Sequence, residues 1–292
     1  VPFVLRSREG RRRKIGGITT IAAFPLDNVL HSSRTVPPSS QTVGKRFRLK
    51  DDADVTKATQ KLRLLKKLKC TLNYEKLAWA AGAQLVAGVD EVGRGCLFGP
   101  VVAAAVILKP DYRIRGLRDS KLLDRKTREK LAPRIRENCV AWAVAFVDVA
   151  IIDEINIYWA SKRAMEEAVA KLAPAPDHLL VDALRLGCLC DQTAILHGDA
   201  VSASIAAASI VAKVERDAMI RELDAIYPGY GLSSNVGYRS PIHLKALKEK
   251  GPTPLHRMSF APVWMSAAPQ ELMEFMVEDS ETGVSNPFPV ES

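Results

Sequence analysis

Aromatic residues make up only 6% of this 292-residue chain. That is too few for the sugar platforms of a glycosidase cleft, although carboxylate pairs of the kind glycosidases use are present. No apolar run approaches the roughly 20 residues a bilayer requires, so the sequence reads as having no membrane partner. A disulfide framework is also missing. The five cysteines, Cys70, Cys96, Cys139, Cys188 and Cys190, are odd in number and unpaired in spacing, which fits reduced thiols and a cytoplasmic setting. Cys188 and Cys190 have no second pair and only His197 nearby, so they read as structural thiols rather than zinc ligands.

What the chain does have is ordinary globular material, 47% hydrophobic and 26% charged, in enough length for a large core. Its charge is uneven. Residues 1–84 carry about +12, residues 85–268 about +3 and residues 269–292 about −6, within an overall +9. A pI near 9.3 favours a polyanionic partner such as nucleic acid. Residues 1–57 mix basic clusters with Pro37-Pro38-Ser39-Ser40 and sustain no period, so they read as a basic, disordered arm. Arg11-Arg12-Arg13-Lys14 and the diluted apolar stretch after it only faintly resemble a targeting segment. The chain opens on Val1 rather than methionine, which leaves its start open. Leucines and basic residues at helical spacing predict a basic amphipathic helix over 58–83. A catalytic body follows over 84–265, and 266–292 form an acidic tail.

Within the body, Leu85–Val92, Val101–Leu108 and Val140–Val147 are apolar runs that predict three strands, the first two joined by a glycine-rich turn. Asp124 is placed to cap a helix reaching about Glu137, which Pro133 would bend or shorten. A helix over Trp159–Leu172, strands at His178–Val181 and Thr193–His197, and an alanine-rich helix over Ser202–Ile226 complete the pattern. Hairpin-linked strands followed by strands alternating with helices imply an α/β fold with a mixed sheet covered by helices.

Four acidic residues fall at strand ends: Asp90 and Glu91 after the first, Asp182 after the fourth and Asp199 after the fifth. Ligands of open α/β sheets gather beyond the carboxyl ends of strands, so these side chains can converge across more than a hundred residues. A donor set made only of carboxylate oxygens selects a hard divalent cation, Mg²⁺ or Mn²⁺. Two such ions, about 3.5–4 Å apart, are suited to phosphodiester hydrolysis. Other acids read differently: Asp153-Glu154 as a helix cap, and Asp217, among Lys213, Glu215 and Arg216, as a surface or supporting charge.

The run Val89-Asp90-Glu91-Val92-Gly93-Arg94-Gly95-Cys96-Leu97-Phe98-Gly99-Pro100-Val101-Val102 is followed in order by further blocks. These are Asp119-Ser120-Lys121, Asp182, Gly198-Asp199, Ala207–Val214, Tyr227–Gly231, Gly237-Tyr238 and His256–Val263. Together, over about 75–265, they resemble the ribonuclease HII family. The resemblance implies an RNase H-like fold, a five-stranded mixed sheet flanked by helices with a C-terminal helical segment. It implies a monomer that cleaves RNA in RNA–DNA hybrids and cuts 5′ of ribonucleotides embedded in duplex DNA, leaving 3′-hydroxyl and 5′-phosphate ends. Carried over to this sequence, Asp90, Glu91, Asp182 and Asp199 would hold two divalent ions. Gly93-Arg94-Gly95 would read the ribose 2′-hydroxyl, which glycine's lack of a side chain permits at close range. Tyr238 would pack against the sugar of the following deoxynucleotide, and Ser120 and Lys121 would contact phosphates.

Two departures stand out. Ala183 replaces a usual glycine after the third carboxylate, and Asn235-Val236 replace a usual His-Lys pair, whose loss should weaken a backbone contact near Tyr238. The sister ribonuclease HIII pattern lacks the arginine of Gly93-Arg94-Gly95 and carries a platform domain that residues 1–57 do not match. A binding module without catalysis would have no use for four acidic ligands. His256 reads as a packed structural histidine.

Overall fold

A computed structural model of the chain describes residues 67–111 and 114–267. The expected arm lies outside them, as does all but the start of the acidic tail. Five strands form one sheet: β1 (Val86–Val92), β2 (Val101–Leu108), β3 (Cys139–Val147), β4 (His178–Asp182) and β5 (Asp191–Ile195). Their spatial order is β3-β2-β1-β4-β5, with β1, β2 and β3 antiparallel and β1, β4 and β5 parallel. The mixed sheet predicted from the run pattern is therefore present. Eight helices accompany it among the described residues: α1 (Asn73–Ala80), α2 (Arg125–Asn138), α3 (Val149–Ala170), α4 (Gly198–Val201), α5 (Ala203–Leu223), α6 (Leu232–Asn235), α7 (Pro241–Lys250) and α8 (Ala261–Ala267).

Strand β2 is buried along its whole length, and its Ala103-Ala104-Ala105 centre lets helices close on both faces. On one face Ala87, Val89 and Ala103 meet Ile152, Ala164 and Met165 of α3. On the other, Val102, Ala104 and Val106 meet Ala207, Ala208 and Val211 of α5 and Leu131 and Ile135 of α2. Helix α5 starts at Ser202, whose side chain accepts from the Ile205 amide, and its alanines favour helix intrinsically. It lies so close to β1 that a Cβ on Gly88 would stand 2.0 Å from the Ser204 carbonyl carbon. The C-terminal segment forms a third core, where Leu97, Phe98 and Ile220 pack with Tyr230, Leu232, Leu247 and Val263.

Three expectations change. The amphipathic helix predicted over 58–83 is, among the described residues, only Asn73–Ala80, because Thr71 is paired with the Val201–Ala203 backbone and cannot be helical. Pro133 does not stop α2, which continues to Asn138 because Leu131, Ala132 and Ile135 bury its inner face. The helix predicted from Trp159 begins ten residues earlier at Val149, with Asp148 as its cap and a kink at Asn156 (φ 64°). Asp153 is therefore no cap of its own helix. Its carboxylate instead accepts from the Met258 and Ser259 amides and the Ser259 hydroxyl, tying α3 to the C-terminal segment. All five cysteines are free thiols.

Candidate active site

Alternation along a strand sends successive side chains to opposite faces. Asp90 shares the α5 face with Gly88, while Glu91 leaves on the α3 face at the strand's end. Parallel pairing of Val89 with Val181 sets Asp182 beside Asp90. After β5 the chain turns at His197, in the left-handed region at φ 55°, and α4 delivers Asp199. The four predicted carboxylates thus converge. Asp90, 4% exposed, and Asp199, 2% exposed, lie deepest.

Each carboxylate has a local anchor. Asp90 Oδ1 accepts from the Glu91 amide at 2.8 Å, and the nearby Ser209 hydroxyl favours its charged form. Asp182 Oδ1 accepts from the Gly198 amide at 2.7 Å. Arg94 Nη1 donates to Glu91 at 3.1 Å, and Lys121 Nζ donates to Asp199 at 2.8 Å. No ion pair reaches Asp90 or Asp182 among the described residues. Burial, then the charges of Glu91, Asp182 and Asp199, push the Asp90 carboxyl well above the usual range. Burial raises Glu91 too, against the pull of Arg94, and raises Asp182.

These observations fit divalent cations. The four carboxylates form ion pairs with only two cationic side chains among the described residues, every donor is oxygen, and Glu91 Oε2 is buried with no partner. Among the described residues no three Asp, Glu, His or Cys side chains form a ready-made cage. Arg94 and Lys121 occupy two of the carboxylates, which would exchange these partners for an ion.

Ser120 and Lys121 lie at this site, though neither has its polar end free. The Ser120 hydroxyl is buried and bonds Ser209 at 2.8 Å, which backs Asp90. Asp119 went unnoticed as a site residue in the sequence. Its Oδ1 accepts from the Lys121 amide, its Oδ2 is buried without a partner, and burial followed by the neighbouring Asp199 raises its carboxyl. Its place just before Ser120-Lys121 was the available signal.

The loop after β1 is held by two buried arginines that no local pattern announces. Arg216 donates to the carbonyls of Pro100 (3.1 Å), Val236 (2.8 Å) and Phe98 (2.9 Å). Arg257 donates to Gly99 (2.9 Å) and Arg94 (3.0 Å), and burial lowers it to about 10. A side chain at Gly93 (φ +93°) would meet Arg216 Nε at 2.3 Å, whereas one at Gly95 would meet nothing within 4 Å. Gly93 therefore serves the loop's packing, and Gly95 leaves open space above the backbone. Tyr238, 38% exposed, is tied to the same loop through a bridge to Cys96 and through the Leu97 amide, which donates to Gly237 at 2.8 Å. Its ring lies 5.0 Å from Lys213 Nζ and 6.0 Å from the Arg216 guanidinium. Ser209, Lys213 and Arg216 recur at i, i+4 and i+7, so one face of α5 serves both Asp90 and Tyr238.

The two sequence departures acquire local explanations. Ala183 sits at φ 55°, where glycine is at ease and alanine costs on the order of 1 kcal/mol. Asn235 fixes the turn before Tyr238: its Nδ2 donates to the Tyr230 carbonyl and its Oδ1 accepts from the Gly237 amide. Val236, at φ 45°, is a strained β-branched residue whose carbonyl is held by Arg216.

Residues 87–263 match the family model for Ribonuclease HII. The chain is 65% identical over 231 residues to a Ribonuclease HII of Koribacter versatilis, covering 79% of this chain and 91% of that protein. It is 55% identical over 197 residues to one of Solibacter usitatus, covering 68% and 86%. A crystal structure of ribonuclease H2 from Pyrococcus horikoshii superposes with TM-score 0.55 and 28% identity, covering 63% of this chain and 97% of the other. By its sheet order, its clustered carboxylates and these matches, the chain belongs to the ribonuclease HII family.

Proposed function

We propose that this chain is a metal-dependent endoribonuclease that hydrolyses RNA in RNA–DNA hybrids and cuts 5′ of ribonucleotides embedded in duplex DNA. The observation that carries the reading is a juxtaposition. Four carboxylates converge at one end of the sheet, and the loop that starts two residues after Glu91 is hydrogen-bonded to the turn carrying Tyr238. Asp90, Glu91, Asp182 and Asp199 would hold two divalent ions, Mg²⁺ or Mn²⁺. When bound, such ions supply an activated water and charge stabilisation at the leaving oxygen.

The chain's own residues select and orient. The open space over Gly95 admits a sugar to the backbone, so a ribose 2′-hydroxyl can be read at close range. The exposed part of the Tyr238 ring gives the next sugar an apolar face to pack on. Lys121, held at Asp199 by 2.8 Å, is within reach of a phosphate on the same carboxylate cluster and would act there as a point charge. The Ser120 hydroxyl, bonded to Ser209, would exchange that partner on contacting a phosphate.

The test is a duplex DNA carrying one ribonucleotide, incubated with the protein and Mg²⁺ or Mn²⁺, with the products sized and their ends identified. A single cut 5′ of the ribonucleotide, with 3′-hydroxyl and 5′-phosphate ends and none after chelation, is the expected result. Cleavage only of longer RNA tracts would assign the chain the sister enzyme's preference. Cleavage insensitive to chelation would remove the ions from the reading.

A further inference from the structure

We propose that His243 and His256, buried behind the site, form a neutral one-directional hydrogen-bond relay that holds the Tyr238 backbone, making both of them positioning residues for substrate binding. Four heteroatom contacts define it. His256 Nδ1 receives the Thr253 amide at 2.9 Å and lies 2.9 Å from the Thr253 hydroxyl. His256 Nε2 lies 3.0 Å from His243 Nε2, and His243 Nδ1 lies 3.0 Å from the Tyr238 carbonyl oxygen.

The two ends of this chain have fixed polarity, since a backbone amide only donates and a backbone carbonyl only accepts. The proton positions follow. His256 Nδ1, facing an N–H, carries no proton, so the neutral ring carries its proton on Nε2 and donates it to His243. His243 Nε2 must then be bare, its proton is on Nδ1, and that proton is donated to Tyr238. A second proton on either ring would set N–H against N–H. Both rings are buried, and the groups facing them, the Tyr230 and Phe98 rings, the Thr253 amide and hydroxyl and the Tyr238 carbonyl, are all uncharged. Burial agrees with this: it lowers His243, and burial followed by the charge of His243 lowers His256 to about 4.

The relay reaches the site through one peptide plane. The Tyr238 amide donates to Asn235 and the Tyr238 carbonyl accepts from His243, so the peptide groups on both sides of its Cα are anchored. Fixing both planes fixes the direction of Cβ and hence the ring beside Lys213 and Arg216. The strained Val236 just upstream makes this anchoring necessary, because without it the turn has a reason to relax.

The proposal rests on Tyr238 contacting substrate, and the experiment separates the two ideas. Nitrogen-15 spectra of the full chain should find His243 as the Nδ1–H tautomer and His256 as the Nε2–H tautomer, both still neutral below the ordinary value of about 6.5. Opposite tautomers, or protonation of either ring near the ordinary value of about 6.5, would overturn the relay. On the single-ribonucleotide duplex, His243→Leu should raise KM about tenfold, the loss of one buried hydrogen bond, with a much smaller change in kcat. His243→Asn, whose amide nitrogen can replace Nδ1 towards Tyr238, should recover most of that loss. His243→Gln, which can reach only towards His256, should not. If Asn and Gln behave alike, with KM simply following thermal stability, the positioning role is wrong. If Tyr238→Ala leaves KM unchanged, the substrate role of Tyr238 fails instead, and the tautomers then decide the relay alone. Because the folded pair resists protonation, its contribution to stability is complete above about pH 6.5 and declines as pH falls towards 4.

Discussion

Asp90→Asn should lower cleavage by about three orders of magnitude or more, roughly 4 kcal/mol of transition-state stabilisation, while binding of an RNA–DNA hybrid survives. The side chain sits at the centre of the carboxylate cluster, and the elements proposed to contact sugar, Gly93 to Gly95 and Tyr238, are anchored by Arg216, Arg257 and His243 independently of it. The same change should stabilise the metal-free protein at neutral pH. An acid whose carboxyl is raised in the folded state contributes its stability below the unfolded value of about 3.9 and loses it as pH rises through the folded value. At pH 7, where the unfolded chain has this carboxyl ionised, burying Asp90 is therefore a burden that asparagine does not carry. Thermal melts in chelator should place the variant above the wild type at pH 7, with the gap closing as pH approaches 4. Mg²⁺ or Mn²⁺ should raise the melting temperature of the wild type far more than that of the variant. Undiminished turnover of purified Asp90→Asn, or loss of hybrid binding in step with activity, would contradict the assignment.

Gly88→Ala should be the most damaging single methyl in the sheet. The added carbon would lie 2.0 Å from the Ser204 carbonyl carbon and 2.3 Å from the Ile205 amide nitrogen, and backbone cannot turn aside as a side chain can. Helix α5 would have to withdraw by about 1 Å or more, loosening the packing of Ala207, Ala208 and Val211. Overpacking of this kind costs upwards of about 3 kcal/mol, or a melting temperature lower by about 10 °C in a domain of this size. Gly95→Ala supplies the contrast, since its new methyl meets nothing within 4 Å. Its melting temperature should stay near that of the wild type while its affinity for the embedded-ribonucleotide duplex falls. Equal melting temperatures for Gly88→Ala and the wild type would refute the close helix-to-sheet approach.

Much of the site was legible because its signals are local. A strand that ends in two carboxylates, Val89-Asp90-Glu91, carries its own period, and the apolar run of β4 announces Asp182 in the same way. Capping chemistry gave Asp124 correctly. What escaped reading is pairwise and distant. Arg216 meets Phe98 and Arg257 meets Arg94 across more than a hundred residues, and a buried guanidinium satisfied by carbonyls looks, in sequence, like any surface arginine. Serine gives no sign in sequence of which way its hydroxyl turns, and the partner of Ser120, Ser209, is 89 residues away. His256 was expected to be packed and structural, and it is buried, but its meaning lies in His243, which no spacing rule joins to it.

The polar stripe along α5 has a consequence for how this sequence can change length. Ser209, Lys213 and Arg216 reach Asp90 and Tyr238 from one rigid rod, so the separation of the carboxylate cluster and the Tyr238 ring is set by a rise of about 1.5 Å per residue. One residue inserted between Ser209 and Arg216 would swing the arginine by about 100°, detaching Phe98, Pro100 and Val236 together. The tip of the connection between β4 and β5, where Leu189 is fully in solvent, carries no such constraint. Insertions and deletions should accumulate there and be refused in the helix, which acts as the molecule's ruler.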